Sequence, residues 1–331
     1  MAEENLTYVK EFILLGFSDL PNLQGFLFGI FFVIYLSILI GNGLLIVITK
    51  TDPALHTPMY FFLGNFSFLE ICYTSVTLPR MLADLWTQKR TISLLACAVQ
   101  TCFLYIFGVA ECLLLTVMAY DRYVAITKPL YYTLIMNHKV CVQLVVISWL
   151  TGVPVLIAQT YRIFSLNFCG PNKINHIFCD APPLFPLACT DTYKIEVSVH
   201  VVALLFVTIP FVLILASYIK IITTIMKLPS TSGRSKAFST CSSHLMVVCF
   251  FYGSGSIVYL QPKSSQSSTS SKIFALFYTT VTPMFNPLIY SLRNKDVIAA
   301  LRKLLPKNFR SKSKNAQRNK QLDVINFICE W

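Results

Sequence analysis

The chain has 331 residues, 55% of them hydrophobic and 13% charged, with a formal net charge of +12. Soluble domains carry about 25% charged residues, so this composition argues against a soluble enzyme or binding domain. The apolar residues fall in long blocks, which places the chain among membrane proteins.

The first 19 residues, Met1–Asp19, hold no basic stretch ahead of an apolar run. No cleavable signal peptide is expected, and the first span is read as an uncleaved signal anchor. A helix crosses the bilayer core with roughly 20 apolar residues. Phe26–Ile48, Val140–Ala158, Val197–Ile219, Leu245–Leu260 and Ile273–Leu292 are free of charge, the fourth of these being extended by Ser239–His244. Pro58–Leu78 and Leu94–Tyr120 qualify with one glutamate each. Lipid offers open backbone no hydrogen-bond partners, so the seven spans are expected to be helices. The alternating segments of a β-barrel do not occur. The fold class is an all-α seven-transmembrane helix bundle.

Seven spans put the two ends on opposite sides. With the N-terminus outside, 18 of the 27 Lys and Arg residues fall on the cytosolic side, ten of them between Arg293 and Lys320. The positive-inside rule favours this orientation. The basic excess then belongs to a membrane surface and not to a nucleic-acid interface. Asn5-Leu6-Thr7 is a glycosylation sequon on the outer side, whereas Asn65-Phe66-Ser67 lies within the second span and is a chance match. Cys97, Cys169, Cys179 and Cys189 all fall in outer segments, where four cysteines allow three pairings.

Ionisable residues inside a membrane are expensive and mark functional candidates. Glu70 lies 12 residues from Pro58, and Glu111 lies 11 residues from Arg122. At 1.5 Å per residue both sit roughly 16–18 Å from the inner surface. Asn42 and Asn286 lie nearby on neighbouring spans. The cluster reads either as a site for a cation, a sodium ion being the candidate, or as a structural hydrogen-bond network. Pro154, Pro210, Pro283 and Pro287 lie within the fourth, fifth and seventh spans, where kinks are tolerated.

Five motifs occur in order along these spans. They are Leu55-His56-Thr57-Pro58-Met59-Tyr60-Phe61-Phe62-Leu63, Met118-Ala119-Tyr120-Asp121-Arg122-Tyr123-Val124-Ala125-Ile126, Ser217-Tyr218, the Lys236–Leu245 segment, and the Pro283–Asn294 segment containing Asn286-Pro287-Leu288-Ile289-Tyr290. Together they resemble the signature of odorant receptors, within the rhodopsin-like receptors coupled to G proteins. The resemblance runs from about Phe12 to Leu305. Thr127 departs from the family's usual cysteine, Glu70 replaces a commoner aspartate, and the tail beyond Pro306 matches no part of the family's pattern.

The resemblance implies the disulfides Cys97–Cys179 and Cys169–Cys189. It also implies a ligand pocket between the outer halves of the helices. The candidates there are Leu104, Tyr105, Gly108, Val109 and Cys112 on one face of the third span. Val202 and Phe206 join from the fifth, Tyr252, Ser256 and Tyr259 from the sixth, and Thr279 from the seventh. Spacing alone would suit ordinary packing. The outer half of the third span has no acid, so the expected ligand is small, mainly neutral and apolar, oriented by one or two hydroxyls. Asp121, Arg122, Tyr123, Tyr218, Asn286, Pro287 and Tyr290 are the expected switch and coupling residues. Asp121 would hold Arg122 at rest, and Tyr218 and Tyr290 would stabilise the open form. The implied partner is a stimulatory G protein of the olfactory type, raising cyclic AMP.

Beyond Asn294, the residues Val297, Ile298, Leu301, Leu304 and Leu305 form an apolar stripe opposite Arg302 and Lys303, as in a short interfacial helix lying on membrane lipids. His176 beside Cys179 and Asp180 is a weak metal motif, set aside if Cys179 is bridged. The expected organisation is an extracellular segment 1–23, a receptor domain 24–293, an interfacial helix 294–305 and a basic cytosolic tail 306–331, in the plasma membrane. A ligand-gated channel or transporter is the rival class, but no inverted repeat is visible. No nucleophile–base constellation suggests an enzyme.

Overall fold

The structure, a computed structural model, describes residues 9–169, 171–227, 231–260, 268–292 and 294–304. Seven helices form the bundle: α1 (Gln24–Thr51), α2 (Pro58–Thr87), α3 (Leu94–Thr127), α4 (His138–Phe164), α5 (Tyr193–Met226), α6 (Thr231–Leu260) and α7 (Ser268–Leu292). Among the described residues, α1 to α5 are each long and apolar enough to cross a membrane. A short helix α8 (Lys295–Leu304) follows α7. Asn5, the tail 306–331 and Leu305 lie outside the described residues.

Local chemistry starts the helices where spans begin. Pro58 sits in the first turn of α2, where its missing N–H costs nothing. Ser93 accepts from the Ala96 amide at 3.2 Å to cap α3, and Asn137 accepts from the Val140 amide at 3.1 Å to cap α4. The central α3 buries Leu104, Ala110, Leu114, Leu115 and Ala119, while α1 turns Phe26, Val33 and Ile40 outward. In a bilayer that outward face meets acyl chains, and close helix contacts rest on small residues. Gly152 is one of them: a Cβ there would stand 2.8 Å from Val109 Cγ1, so only glycine lets α4 approach α3 this closely.

Two of the intrahelical prolines change helical register. The segments Leu204–Thr208 in α5 and Phe277–Val281 in α7 are wound as π-helix, and Pro210 and Pro283 follow each by two residues. Proline lacks an amide proton and clashes with the carbonyl four residues back, at Phe206 and Thr279. A widened turn relieves both problems.

At the disulfide end the bundle carries a small sheet that helical periodicity does not announce. Strands β1 (Glu11–Leu14), β2 (Thr91–Ser93) and β3 (Lys173–Ile174) lie in the order β2-β1-β3. β1 pairs antiparallel with β2, Phe12 opposite Ile92, and parallel with β3, Leu14 opposite Ile174. Phe12 and Leu14 are fully buried in a second core with Ile163, Phe168 and Leu184. At the opposite end, α8 buries Val297 and Ala300, and Lys303 pairs with Asp52 at 2.6 Å. The Tyr60 hydroxyl lies 2.8 Å from Asn294 Nδ2 and 3.2 Å from Asp296 Oδ2.

Candidate functional site: a roofed cavity and two polar levels

A cavity of about 200 Å³ lies between the helices near the disulfide end. From α3 it is lined by Leu104, Tyr105, Gly108, Val109 and Cys112, from α5 by Val202, and from α6 by Tyr252 and Ser256. These are among the residues that sequence reasoning assigns to the pocket. Phe206 and Thr279 do not line it. They stand four residues before Pro210 and Pro283, inside the two π-wound turns. Val207, Thr208 and Tyr278 of the same two segments line it instead. The side chain of Tyr259 lies outside the described residues.

The cavity also draws on residues that sequence reasoning misses: Tyr73 of α2, Leu156 and Gln159 of α4, Val199 and Ala203 of α5, and Phe251 and Gly255 of α6. One signal was present. Gln159 is the first polar residue after the apolar run that ends at Ala158. Its carboxamide oxygen accepts from the Ser198 hydroxyl at 3.0 Å, and its amide nitrogen is buried without a hydrogen-bond partner. The buried Tyr252 hydroxyl neighbours the Cys112 thiol.

The loop between α4 and α5 roofs the cavity. Disulfides join Cys97 to Cys179 and Cys169 to Cys189, with Cα atoms 5.5 and 5.8 Å apart. Hydrogen bonds add to the first bridge. The Cys179 amide donates to Gln100 Oε1 at 3.0 Å, and the Thr101 hydroxyl donates to the Cys179 carbonyl at 3.2 Å. The Tyr105 hydroxyl donates to Asp180 at 2.8 Å and accepts from the Ala181 amide at 3.2 Å. His176 is 2% exposed and stacks edge-on against Phe178, with Nδ1 3.1 Å from the Phe178 carbonyl oxygen. Burial holds its imidazole below the ordinary value, against the opposing pull of Asp180. Lys272 donates to the Gly16 carbonyl at 2.8 Å and so ties the N-terminal segment to α7.

A polar cluster lies deeper in the bundle. Asn286 donates to Glu70 Oε1, and Asn42 donates to the Pro283 carbonyl at 3.4 Å. Glu70 and Glu111 are within electrostatic reach of each other. Six buried oxygens of the cluster have no hydrogen-bond partner: Glu70 Oε2, both carboxylate oxygens of Glu111, Asn42 Oδ1, Asn286 Oδ1 and Ser67 Oγ. An all-oxygen set with acidic members suits a hard cation.

The third level lies at the opposite end. Here the structure corrects the expected Asp121–Arg122 pair. Asp121 accepts from the Tyr132 hydroxyl at 2.8 Å, and among the described residues no ion pair joins it to Arg122. Neighbours on a helix point about 100° apart, so one cannot readily clasp the other. Asp121 is buried toward the turn after α3, and Arg122 is half-buried with Tyr218, Cys241, His244 and Tyr290 within reach of its charge. Tyr218 Oη lies 2.8 Å from His244 Nδ1, and His244 Nε2 lies 3.1 Å from the Leu115 carbonyl oxygen. The Tyr290 ring meets Phe66 edge-on, and its hydroxyl is buried without a partner. Pro287 packs where Gly41 of α1 leaves room, 3.1 Å from the place a Cβ would occupy. Tyr123 faces a trough on the flank of α3 and α5, with Tyr120, Ser217 and Lys220.

The family model described as "Olfactory receptor" matches residues 31–308. The chain is 60% identical to human olfactory receptor 10AG1 over 297 residues, covering 90% of this chain and 99% of that one. It is 54% identical to human olfactory receptor 10A5, covering 91% and 95%. It is 50% identical to human olfactory receptor 10A7, covering 92% and 96%. Among solved structures, squid rhodopsin superposes with a TM-score of 0.70 at 18% identity, covering 87% of this chain and 81% of that one. At that identity the likeness establishes the helical architecture alone.

Proposed function

The chain belongs to the olfactory receptor family, and on that premise we propose that it detects a small, mainly neutral and apolar odorant in the roofed cavity and signals through a stimulatory olfactory-type G protein, raising cyclic AMP. It is a receptor acting through G proteins, not an enzyme. The cavity carries the reading of the ligand. Its wall is mostly aliphatic and aromatic, with no Asp, Glu, Lys or Arg among its lining residues. A charged ligand would be buried there without a counter-charge, which is prohibitive. A neutral ligand instead gains by leaving water.

The proposed orientation puts the disulfide end outside the plasma membrane, with α8 lying on lipid at the cytosolic face. Residues 1–23 are then extracellular, 24–293 form the receptor domain, 294–305 the interfacial helix and 306–331 a cytosolic tail. The proposed disulfide pairs keep the roof closed. Arg122, freed from any clasp by Asp121, faces the opening that a moving α6 would create, with Tyr123, Tyr218, Asn286, Pro287 and Tyr290 shaping the rearrangement. The Glu70, Glu111, Asn42 and Asn286 cluster is proposed to hold a sodium ion. That ion would neutralise two facing acids and favour one packing of the bundle.

The test is a cyclic-nucleotide reporter screen of a chemically broad volatile panel in cells expressing the chain at the surface. Activation by neutral volatiles that is lost on filling the cavity, as in Gly108→Leu, supports the reading. Activation only by charged compounds would refute it.

A further inference from the structure

We propose that the trough between α3, α4 and α5 holds one anionic phospholipid, with its headgroup at Lys220 and Lys227 and an acyl chain along the apolar floor. The site is separate from the odorant cavity. It rests on the proposed orientation, which sets this end of the bundle in the cytosolic leaflet.

The trough has a volume of about 430 Å³. Its apolar lining comes from three helices: Val117 of α3, Leu144 of α4, and Leu213 and Ala216 of α5. Leu213, Ala216, Ser217 and Lys220 recur at three- and four-residue spacing and form one stripe along α5, which Lys227 continues. Tyr218 lies two residues from Lys220, or about 200° around the helix, and is turned to His244 of α6. The trough therefore backs away from α6, and a lipid seated in it leaves the opening before Arg122 free. From Thr116 to Tyr123 the α3 wall spans seven residues, roughly 10 Å, which is room for the upper part of an acyl chain.

Depth sets the cations at a headgroup. α5 has 34 residues, a length of about 51 Å, against roughly 30 Å of hydrocarbon. Equal projection at the two ends leaves about 10 Å beyond the hydrocarbon on each side. Lys220 is six residues before Met226, about 9 Å, and so stands at the inner boundary, where lipid phosphates lie. Tyr120 and Tyr123 line the trough beside it, at the level that phenols favour. Charge decides which lipid. Lys128, Lys139, Lys220 and Lys227 are all exposed toward the cytosolic ends of the same three helices. The chain has no Asp or Glu from Arg122 to Cys179 or from Val197 to Lys295. Among the described residues none of the four lysines has an ion pair. Cations without a protein counter-charge at the head of an apolar trough suit a lipid of net negative charge, which the cytosolic leaflet supplies. A zwitterionic lipid would bring a further cation, and a sterol would leave the lysines unanswered.

The experiment places the full chain in nanodiscs of phosphatidylcholine with a minor fraction of phosphatidylserine, part of it carrying a photoreactive acyl chain. Crosslinked peptides should cluster on the trough stretches of α3, α4 and α5. Phosphatidylserine should be the lipid retained when the receptor is taken back into detergent. Lys220→Gln should lower that retention about five-fold, the effect of one lysine at an anionic surface. Ala216→Phe, which fills the floor and keeps both lysines, should lower it several-fold as well. Lys50→Gln, which removes an exposed cation at the end of α1, should leave it unchanged. Crosslinks spread evenly over the outward helix faces, equal retention of phosphatidylcholine, or an equal loss in Lys50→Gln would mean general attraction to an anionic surface and overturn the site. Displacement of the crosslinks by cholesterol, with no dependence on Lys220, would assign the trough to a sterol and overturn it likewise. Nanodiscs offer both faces of the receptor the same lipids, so these outcomes do not depend on its orientation. Antibody access to the C-terminal tail in intact cells tests the orientation separately.

Discussion

The Tyr218 hydroxyl lies 2.8 Å from His244 Nδ1, and the same imidazole reaches the Leu115 carbonyl through Nε2 at 3.1 Å. One side chain of α6 is therefore tied to α5 and to α3 at once. With Nε2 donating to a carbonyl, Nδ1 is the acceptor and Tyr218 the donor, which requires a neutral ring. The bridge favours the packing seen here, and any movement of α6 away from α3 has to break it. His244→Phe keeps the ring volume and removes both bonds. Each is worth roughly 1 kcal/mol net, so basal signalling should rise about five-fold or more, measured as cyclic AMP without odorant at matched surface expression. Unchanged basal activity would show that the bridge persists in the active packing.

Arg122 is expected to couple the receptor without touching the odorant. It lies 18 residues along α3 from Leu104 in the cavity wall, or roughly 27 Å. Arg122→Ala should abolish nucleotide exchange on the G protein while odorant binding remains measurable. The G protein's effect on odorant affinity should vanish with it, since linkage runs both ways. Binding and exchange measured on the same surface-expressed variant decide this; wild-type exchange rates would remove Arg122 from coupling.

Glu111 has two buried carboxylate oxygens without a partner, next to Glu70. Glu111→Gln removes one of the two neighbouring acids on which the proposed cation site rests. Basal signalling should lose its dependence on sodium concentration, with a several-fold change in level. The potency order of odorants should stay as it is, because Glu111 is not among the residues lining the cavity. A reordered odorant ranking at constant basal activity would place Glu111 in recognition instead.

His176 gives the roof a pH dependence of definite sign. Its folded-state pKa lies below the ordinary 6.5, first because of burial. The unfolded chain then takes up a proton that the folded chain resists. Stability is at its full value above about pH 6.5 and declines as the pH falls below it. Thermal unfolding of the purified receptor at stepped pH should show that decline. His176→Gln should flatten it, because the imidazole that takes up the proton is gone. A slope identical in the variant would assign it to other residues.

Much of the architecture is legible in the sequence because a bilayer makes it so. A segment that must satisfy its own backbone hydrogen bonds within lipid becomes a helix whatever its neighbours do. The seven apolar runs, the acids at Glu70 and Glu111, the Asp121-Arg122-Tyr123 motif and the cysteines of the two bridges are all visible along the chain. So is the apolar stripe that α8 buries at Val297.

What tertiary structure alone decided depends on contacts between distant segments or on small rotations. The pairing of Phe12 with Ile92 and of Leu14 with Ile174 joins three separate stretches and leaves no local period to read. Asp121 turns to Tyr132 because the turn after α3 folds back beneath it. Pro210 and Pro283 signal a disturbance, but the sequence does not say whether a kink or a widened turn absorbs it. Within the widened turns it is Val207, Thr208 and Tyr278 that line the cavity, and not Phe206 and Thr279. Gln159 lines the cavity from α4, a helix that Gly152 lets lie close against Val109 of α3. A helix's lipid-facing and bundle-facing sides are both apolar, so hydrophobic pattern cannot tell them apart; only packing against neighbouring helices does.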